Sequence, residues 1–123
     1  MKVQSPAVLA KKKCQPCEGG VEPLWPQQVK TQIEKLPGWR LSKDSQSIRK
    51  SWRLKDFNAA IKFIQSIARL AEKENHHPDL HLTNYRDLAI EISTHAIGGL
   101  SENDFILAAK IDLLPVDLKE KKK

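Results

Sequence analysis

Three of the chain's four histidines fall within residues 71–85, AEKENHHPDLHLTNY, and the fourth, His95, follows ten residues later. An imidazole can ligate a metal, exchange protons near neutral pH, or finish a helix as a cation at the negative end of its dipole. A metal needs ligands that converge, at i and i+4 on a helix or i and i+2 on a strand. His76 and His77 are adjacent and diverge, and Pro78 interrupts helical spacing between His77 and His81. Local geometry therefore argues against chelation by this cluster. Cys14 and Cys17 give half of a zinc-ribbon pattern with no second pair in the chain. A site shared between subunits, a redox pair and two plain thiols remain open for them.

Proton transfer asks for less. Two groups that titrate near neutrality, on either side of a small substrate, are enough. A helix end carrying His76 and His77 and a strand end carrying His95 can supply them if both ends share a rim. Glu72, one turn before His76, is spaced either to orient that imidazole or to stand as surface charge. Tyr85 suits a ligand wall or a turn. Asp104 has a structural reading of its own, because SEND has the form of a capping box with Ser101 as N-cap and Asp104 three residues on.

These side chains need elements to hold them. Pro26 suits a first helical turn, Val29 and Ile33 repeat at i, i+4, and Pro37-Gly38 stops that helix. GWRLS and SIRKSWRL alternate around KDSQ, which predicts a hairpin with Trp39, Leu41, Ile48, Trp52 and Leu54 on nearly one face. After Asp56 as N-cap, Phe57, Ile61, Ile64, Ala68 and Ala71 predict a long helix; Phe63, Ile67 and Leu70 widen its apolar stripe enough to suggest a neighbouring helix or subunit. DLHL and DLAIEISTH, turned by TNYR, predict a second hairpin with Leu88, Ile90 and Ile92 sharing a face. A last helix opens at Ser101, with Phe105, Ala108, Ala109 and Ile111 apolar, and ends before Pro115. The order α-β-β-α-β-β-α predicts an α+β two-layer sandwich, an antiparallel sheet with helices on one face.

Length and charge narrow the classes. With 123 residues and 40% apolar content, one domain with a real core is expected. The formal charge of +6 lies in the tails, since residues 23–118 hold 13 basic and 12 acidic side chains. A nucleic-acid groove in the core is therefore disfavoured. Residues 1–22 lack a hydrophobic period and read as a flexible basic leader with a CxxC, residues 23–118 as the domain, and residues 119–123 as a Lys-rich tail. No apolar run suits a membrane helix or a secretory signal, so a cytoplasmic protein is expected, with an organelle open if the leader is an address.

Taken together, the series Glu72, His76-His77-Pro78, Tyr85, His95, Asp104 closely resembles the signature of the pterin-4a-carbinolamine dehydratase family. The likeness runs on through STHAIGGLSENDFILAAKID and LKDFNAAIKFI, covering roughly residues 23–115. It implies a four-stranded antiparallel sheet with three helices on one side. It also implies dehydration of 4a-hydroxytetrahydropterin to quinonoid dihydropterin, with no metal or redox cofactor. His76, His77 and His95 would be the catalytic histidines, His76 and His95 as the acid/base pair and His77 positioning substrate, with Glu72 supporting His76. The pterin pocket would form around Asn75 and Pro78 on one side and Ser93, Thr94 and Ala96 on the other, with Tyr85 and Asp104 contributing. Asn75 stands where animal members often have aspartate, and Asn103 where they have arginine. The resemblance implies a homodimer or homotetramer. Because some members assist a transcription factor or enzyme assembly, it keeps a non-enzymatic partner protein as the alternative. His81 has no assigned role.

Overall fold

The computed structural model describes residues 3–15, 22–94 and 97–119. In chain order the elements are α1 (Pro6–Ala10), α2 (Pro26–Ile33), β1 (Arg40–Leu41), β2 (Ile48–Arg53), α3 (Phe57–Glu74), β3 (Asp79–Thr83), β4 (Asp87–Ile92) and α4 (Glu102–Asp112). The four strands form one antiparallel sheet in the order β1-β2-β4-β3, so the α+β sandwich with helices against one face is the fold of this chain. The β3–β4 hairpin returns after α3 to lay β4 beside β2, with Ile48 opposite Ile92 and Trp52 opposite Leu88. Among the described residues no helix is long and apolar enough to cross a membrane.

Alternation sets which side of the sheet is dry. Ile48 and Leu54 from the β2 chain, and Leu88, Ile90 and Ile92 from β4, are buried against the helices, while Arg49, Ser51 and Arg53 face out. Trp52 sits between Trp39 and Phe63 in edge-to-face contacts at 5.8 and 5.4 Å, tying the first hairpin to α3. Trp39 also donates its indole N–H to Asp112 Oδ2 at 2.9 Å, which fastens the hairpin to the end of α4.

Asp56 caps α3 as expected, accepting from the Ala59 N–H at 2.8 Å. The buried face of that helix differs from the expected one. Ala60, Phe63, Ile67, Ala71 and Glu74 meet the core, whereas Phe57 is 51% exposed and Ile61 and Ile64 are only half-buried. Two overlapping apolar stripes were available, and contact with Trp52 selects the one through Phe63. Helix α4 also departs from a single apolar face. Asn103 through Ala109 and Ile111 are all buried, because α1 lies against α4 as well as α3.

The packing of α1 corrects the picture of residues 3–15 as a flexible leader. Leu9 is fully buried, Gln4 exchanges two hydrogen bonds with Gln32 at 2.8 Å each, and Lys12 pairs with Glu102. A five-residue helix with one buried apolar side chain has no period for sequence reading to detect. At its end the Cys14 N–H donates to Glu74 Oε1 at 2.9 Å, and Gln15 and Asn103 exchange two bonds at 2.9 and 2.8 Å. Cys17 and the rest of residues 16–21 lie outside the described residues.

Burial first, and then the Glu74 carboxylate, push the Cys14 thiol up to about 12 from an ordinary value of 9.0. A group protonated in the folded chain but ionised in the unfolded one stabilises folding fully below about pH 9 and loses that effect as pH rises toward about 12, by up to about 1.4 kcal/mol per unit. Urea unfolding of wild type and Cys14→Ala should therefore show a stability difference that shrinks between about pH 8 and about pH 10.5. A difference that stays constant across that range would contradict the buried, protonated thiol.

Candidate active site

Three chain ends meet at one rim of the sandwich: the C-terminus of α3, the end of β4 and the N-terminus of α4. Helix α3 closes on Asn75, whose left-handed backbone (φ 52°) lets its N–H and that of His76 bond back to the last helical turn. That reversal turns His76 inward. It is 5% exposed, and its Nε2 lies 2.7 Å from Oδ1 of Asp104, which is fully buried in the first turn of α4. The positive end of the α4 dipole favours a carboxylate there.

The other oxygen of Asp104 is also engaged. Oδ2 accepts from the Ser101 N–H and from Thr94 Oγ1, each at 2.8 Å, and Thr94 Oγ1 lies 2.8 Å from Ser101 Oγ. Thr94 spends its proton on Asp104, so Ser101 Oγ–H donates to Thr94. Every partner of the carboxylate is then a donor, which assigns an imidazole proton to Nε2 of His76. A buried carboxylate that fixes the tautomer of an imidazole is the arrangement that readies such a ring as a proton acceptor and steadies the cation it becomes.

Glu72 is not the orienting group for His76. Its Oε2 lies 3.0 Å from Nε2 of His77, and both side chains are exposed. The left-handed turn at Asn75 explains this, because it breaks the i, i+4 relation between Glu72 and His76 and brings His77 over the helix end instead. Asp104 does what the capping-box reading gave it, accepting from the Ser101 N–H, and takes the orienting role as well. Thr94 and Ser93 sit at the rim, Thr94 fully buried and Ser93 half-buried beside a cleft of about 210 Å³ that Gly98 and Gly99 also line. Pro78 is half-buried next to the pair.

Tyr85 is elsewhere. It occupies the tight turn after β3 together with Asn84, both at positive φ, and is 54% exposed with the Arg86 guanidinium over its ring. At about 3.4 Å per residue, β3 places it roughly 17 Å from Pro78 within the chain. His81 points to the outer face of the same edge strand, opposite Ala89. His95 and Ala96 lie outside the described residues, although Thr94 and Gly99 on either side are bonded to each other at 2.9 Å. Among the described residues no group of three or more His, Cys, Asp or Glu side chains is placed to hold a metal ion.

The family model described as Pterin 4 alpha carbinolamine dehydratase matches residues 22–114. The chain is 48% identical over 121 residues to "Pterin-4-alpha-carbinolamine dehydratase 2, mitochondrial" of Arabidopsis thaliana, spanning 95% of this chain and 65% of that relative's length. It is 44% identical over 106 residues to a "Putative pterin-4-alpha-carbinolamine dehydratase" of Dechloromonas aromatica, covering 86% of this chain and 92% of the relative. A crystal structure from Brucella melitensis, described as a transcriptional coactivator/pterin dehydratase, superposes with a TM-score of 0.70 at 28% identity, over 74% of this chain and 96% of that one.

Proposed function

The chain belongs to the pterin-4a-carbinolamine dehydratase family, and on that premise we propose that it removes water from 4a-hydroxytetrahydropterin to give quinonoid dihydropterin, in recycling of a tetrahydrobiopterin-type cofactor. The observation that carries this reading is the buried His76–Asp104 pair, 2.7 Å apart, where the ends of α3 and β4 meet the start of α4.

The C4a hydroxyl leaves poorly as hydroxide. An acid protonates it while the N5 lone pair forms the C4a=N5 bond, water departs, and a base takes the proton that the cationic ring then sheds. Oxidation level does not change overall, so the balance needs no electron carrier. His76 is the proposed base, with Asp104 holding its Nε2 proton and stabilising the imidazolium. His95 is the proposed acid, on the strength of the sequence resemblance. His77, exposed and paired with Glu72, positions the ring.

A cytoplasmic homo-oligomer belongs to the same proposal. Helix α3 leaves Phe57, 51% exposed, and part of the half-buried Ile61 uncovered by its own core. A second reading, a protein-binding role on this fold, draws on the coactivator part of the Brucella description. The intact histidine series favours the enzyme.

Titrating a stable 7,8-dihydropterin into ¹⁵N-labelled protein should shift the amide signals of Asn75, His76, His77 and Thr94 and leave Tyr85 unmoved. Shifts centred on Tyr85, or none at millimolar ligand, would contradict the placement of the pterin.

A further inference from the structure

The segment 3–15 lies outside the 22–114 match to the family, yet its last two described residues hold both sides of the candidate site. The Cys14 N–H grips Glu74, two residues before His76, at 2.9 Å. Gln15 grips Asn103, the residue before Asp104, through a reciprocal pair in which its N–H donates to Oδ1 at 2.9 Å and its carbonyl accepts from Nδ2 at 2.8 Å. The Cys14 Sγ also lies 3.6 Å from the Asn103 carbonyl. Lys110 secures the second oxygen of Glu74 at 3.0 Å. Glu74 and Asn103 are both buried, at 4% and 2% exposure.

These contacts bridge the end of α3 to the start of α4, and those are the two segments that the His76–Asp104 bond must bring together. We propose that residues 3–15 form a clamp that sets the His76–Asp104 geometry, with Glu74 and Asn103 as positioning residues for the dehydration. The role rests on the function proposed above only for its kinetic consequence; its geometric part stands independently. The clamp acts through backbone groups of residues 14 and 15 and is seated by Leu9, fully buried where α1 lies against α4. It also gives Asn103 a use. An amide that both donates and accepts can pair with a peptide unit in this reciprocal way, whereas an arginine at that position could only donate.

Two variants release the clamp from different ends. Asn103→Leu keeps the side-chain shape and removes both bonds to Gln15, and Leu9→Ala loosens the seat of α1 without touching the site. Each is made in a Cys17→Ser background, so that the labelling rate of Cys14 by a thiol reagent reports release. Three readouts accompany it: the downfield proton signal of His76 Nε2–H, with the Trp39 indole N–H as a reference for intact folding, and kcat and KM on 4a-hydroxytetrahydropterin.

The expected result in both variants is Cys14 labelling at least about tenfold faster, a shifted or broadened His76 signal beside an unchanged Trp39 signal, and kcat about tenfold lower with KM within about twofold, as for a misplaced reacting group. A reactive Cys14 with His76 signal and kcat as in wild type would overturn the clamp, and so would Cys14 that stays protected in both variants. If wild-type protein shows no turnover, the function reading fails, and the Cys14 and His76 readouts still decide the clamp.

Discussion

Replacing Asp104 by Asn should lower dehydration by about 100- to 1,000-fold while the protein stays folded, at a cost of about 1–2 kcal/mol. The size follows from the tautomer. Oδ2 of Asp104 receives two donors, the Ser101 N–H and Thr94 Oγ1, so an amide placed there must keep its oxygen on that side. Its NH₂ then faces His76 Nε2, which has to become an acceptor, and the ring proton moves to Nδ1. The ring is then held in the other tautomer, with almost no change in shape. Imidazole ¹⁵N shifts of His76 in the variant should report the switched tautomer alongside the rate. A variant of wild-type rate, or one with the wild-type tautomer, would contradict the role given to Asp104.

Glu74→Ala should remove about 2–4 kcal/mol of stability at pH 7, which is large for a residue that touches no substrate. The Glu74 carboxylate accepts from the Cys14 N–H and from Lys110, and removing it leaves both with no acceptor in a largely buried setting. Burial alone would raise the Glu74 pKa, but the Cys14 N–H and the Lys110 ammonium outweigh it and hold the carboxyl below the usual range. A depressed folded-state pKa stabilises above the unfolded value and loses that effect as pH falls through the folded one. Urea unfolding should therefore show a wild-type advantage that is full near pH 7 and shrinks below about pH 4. An advantage that does not shrink in acid would show that packing, and not the ion pair, carries the loss.

Local chemistry was readable from the sequence wherever a signal is local. The caps at Asp56 and Ser101, the strand alternation at Leu88, Ile90 and Ile92, and the turn in TNYR each depend on neighbours within four residues, and each is found. Asp104 shows where this stops. Its capping role is three residues from Ser101, but its bond to His76 spans 28 residues and exists only because α3, β4 and α4 end at one rim. Glu72 misled for the converse reason: helical spacing predicts contact with His76 only if the helix continues, and a left-handed Asn75 ends it one residue earlier. The docking of residues 3–15 was invisible because backbone groups of Cys14 and Gln15 make its main contacts, and backbone groups have no letter in the sequence. Ser101 was readable as a cap, but the bonds by which Thr94 and Ser101 complete the Asp104 network depend on the end of β4 meeting the start of α4, which no local pattern encodes.

Whether His76 carries the dehydration can be read from the lifetime of freshly generated 4a-hydroxytetrahydropterin, followed by absorbance with catalytic amounts of this protein, of His76→Gln, and with buffer alone. The Gln side chain keeps a donor for Asp104, so the fold should survive and the loss should be chemical. Decay should be rapid with wild type and about 100-fold slower with the variant. A lifetime with wild-type protein equal to that in buffer, or equal rates for the two proteins, would contradict that role for His76.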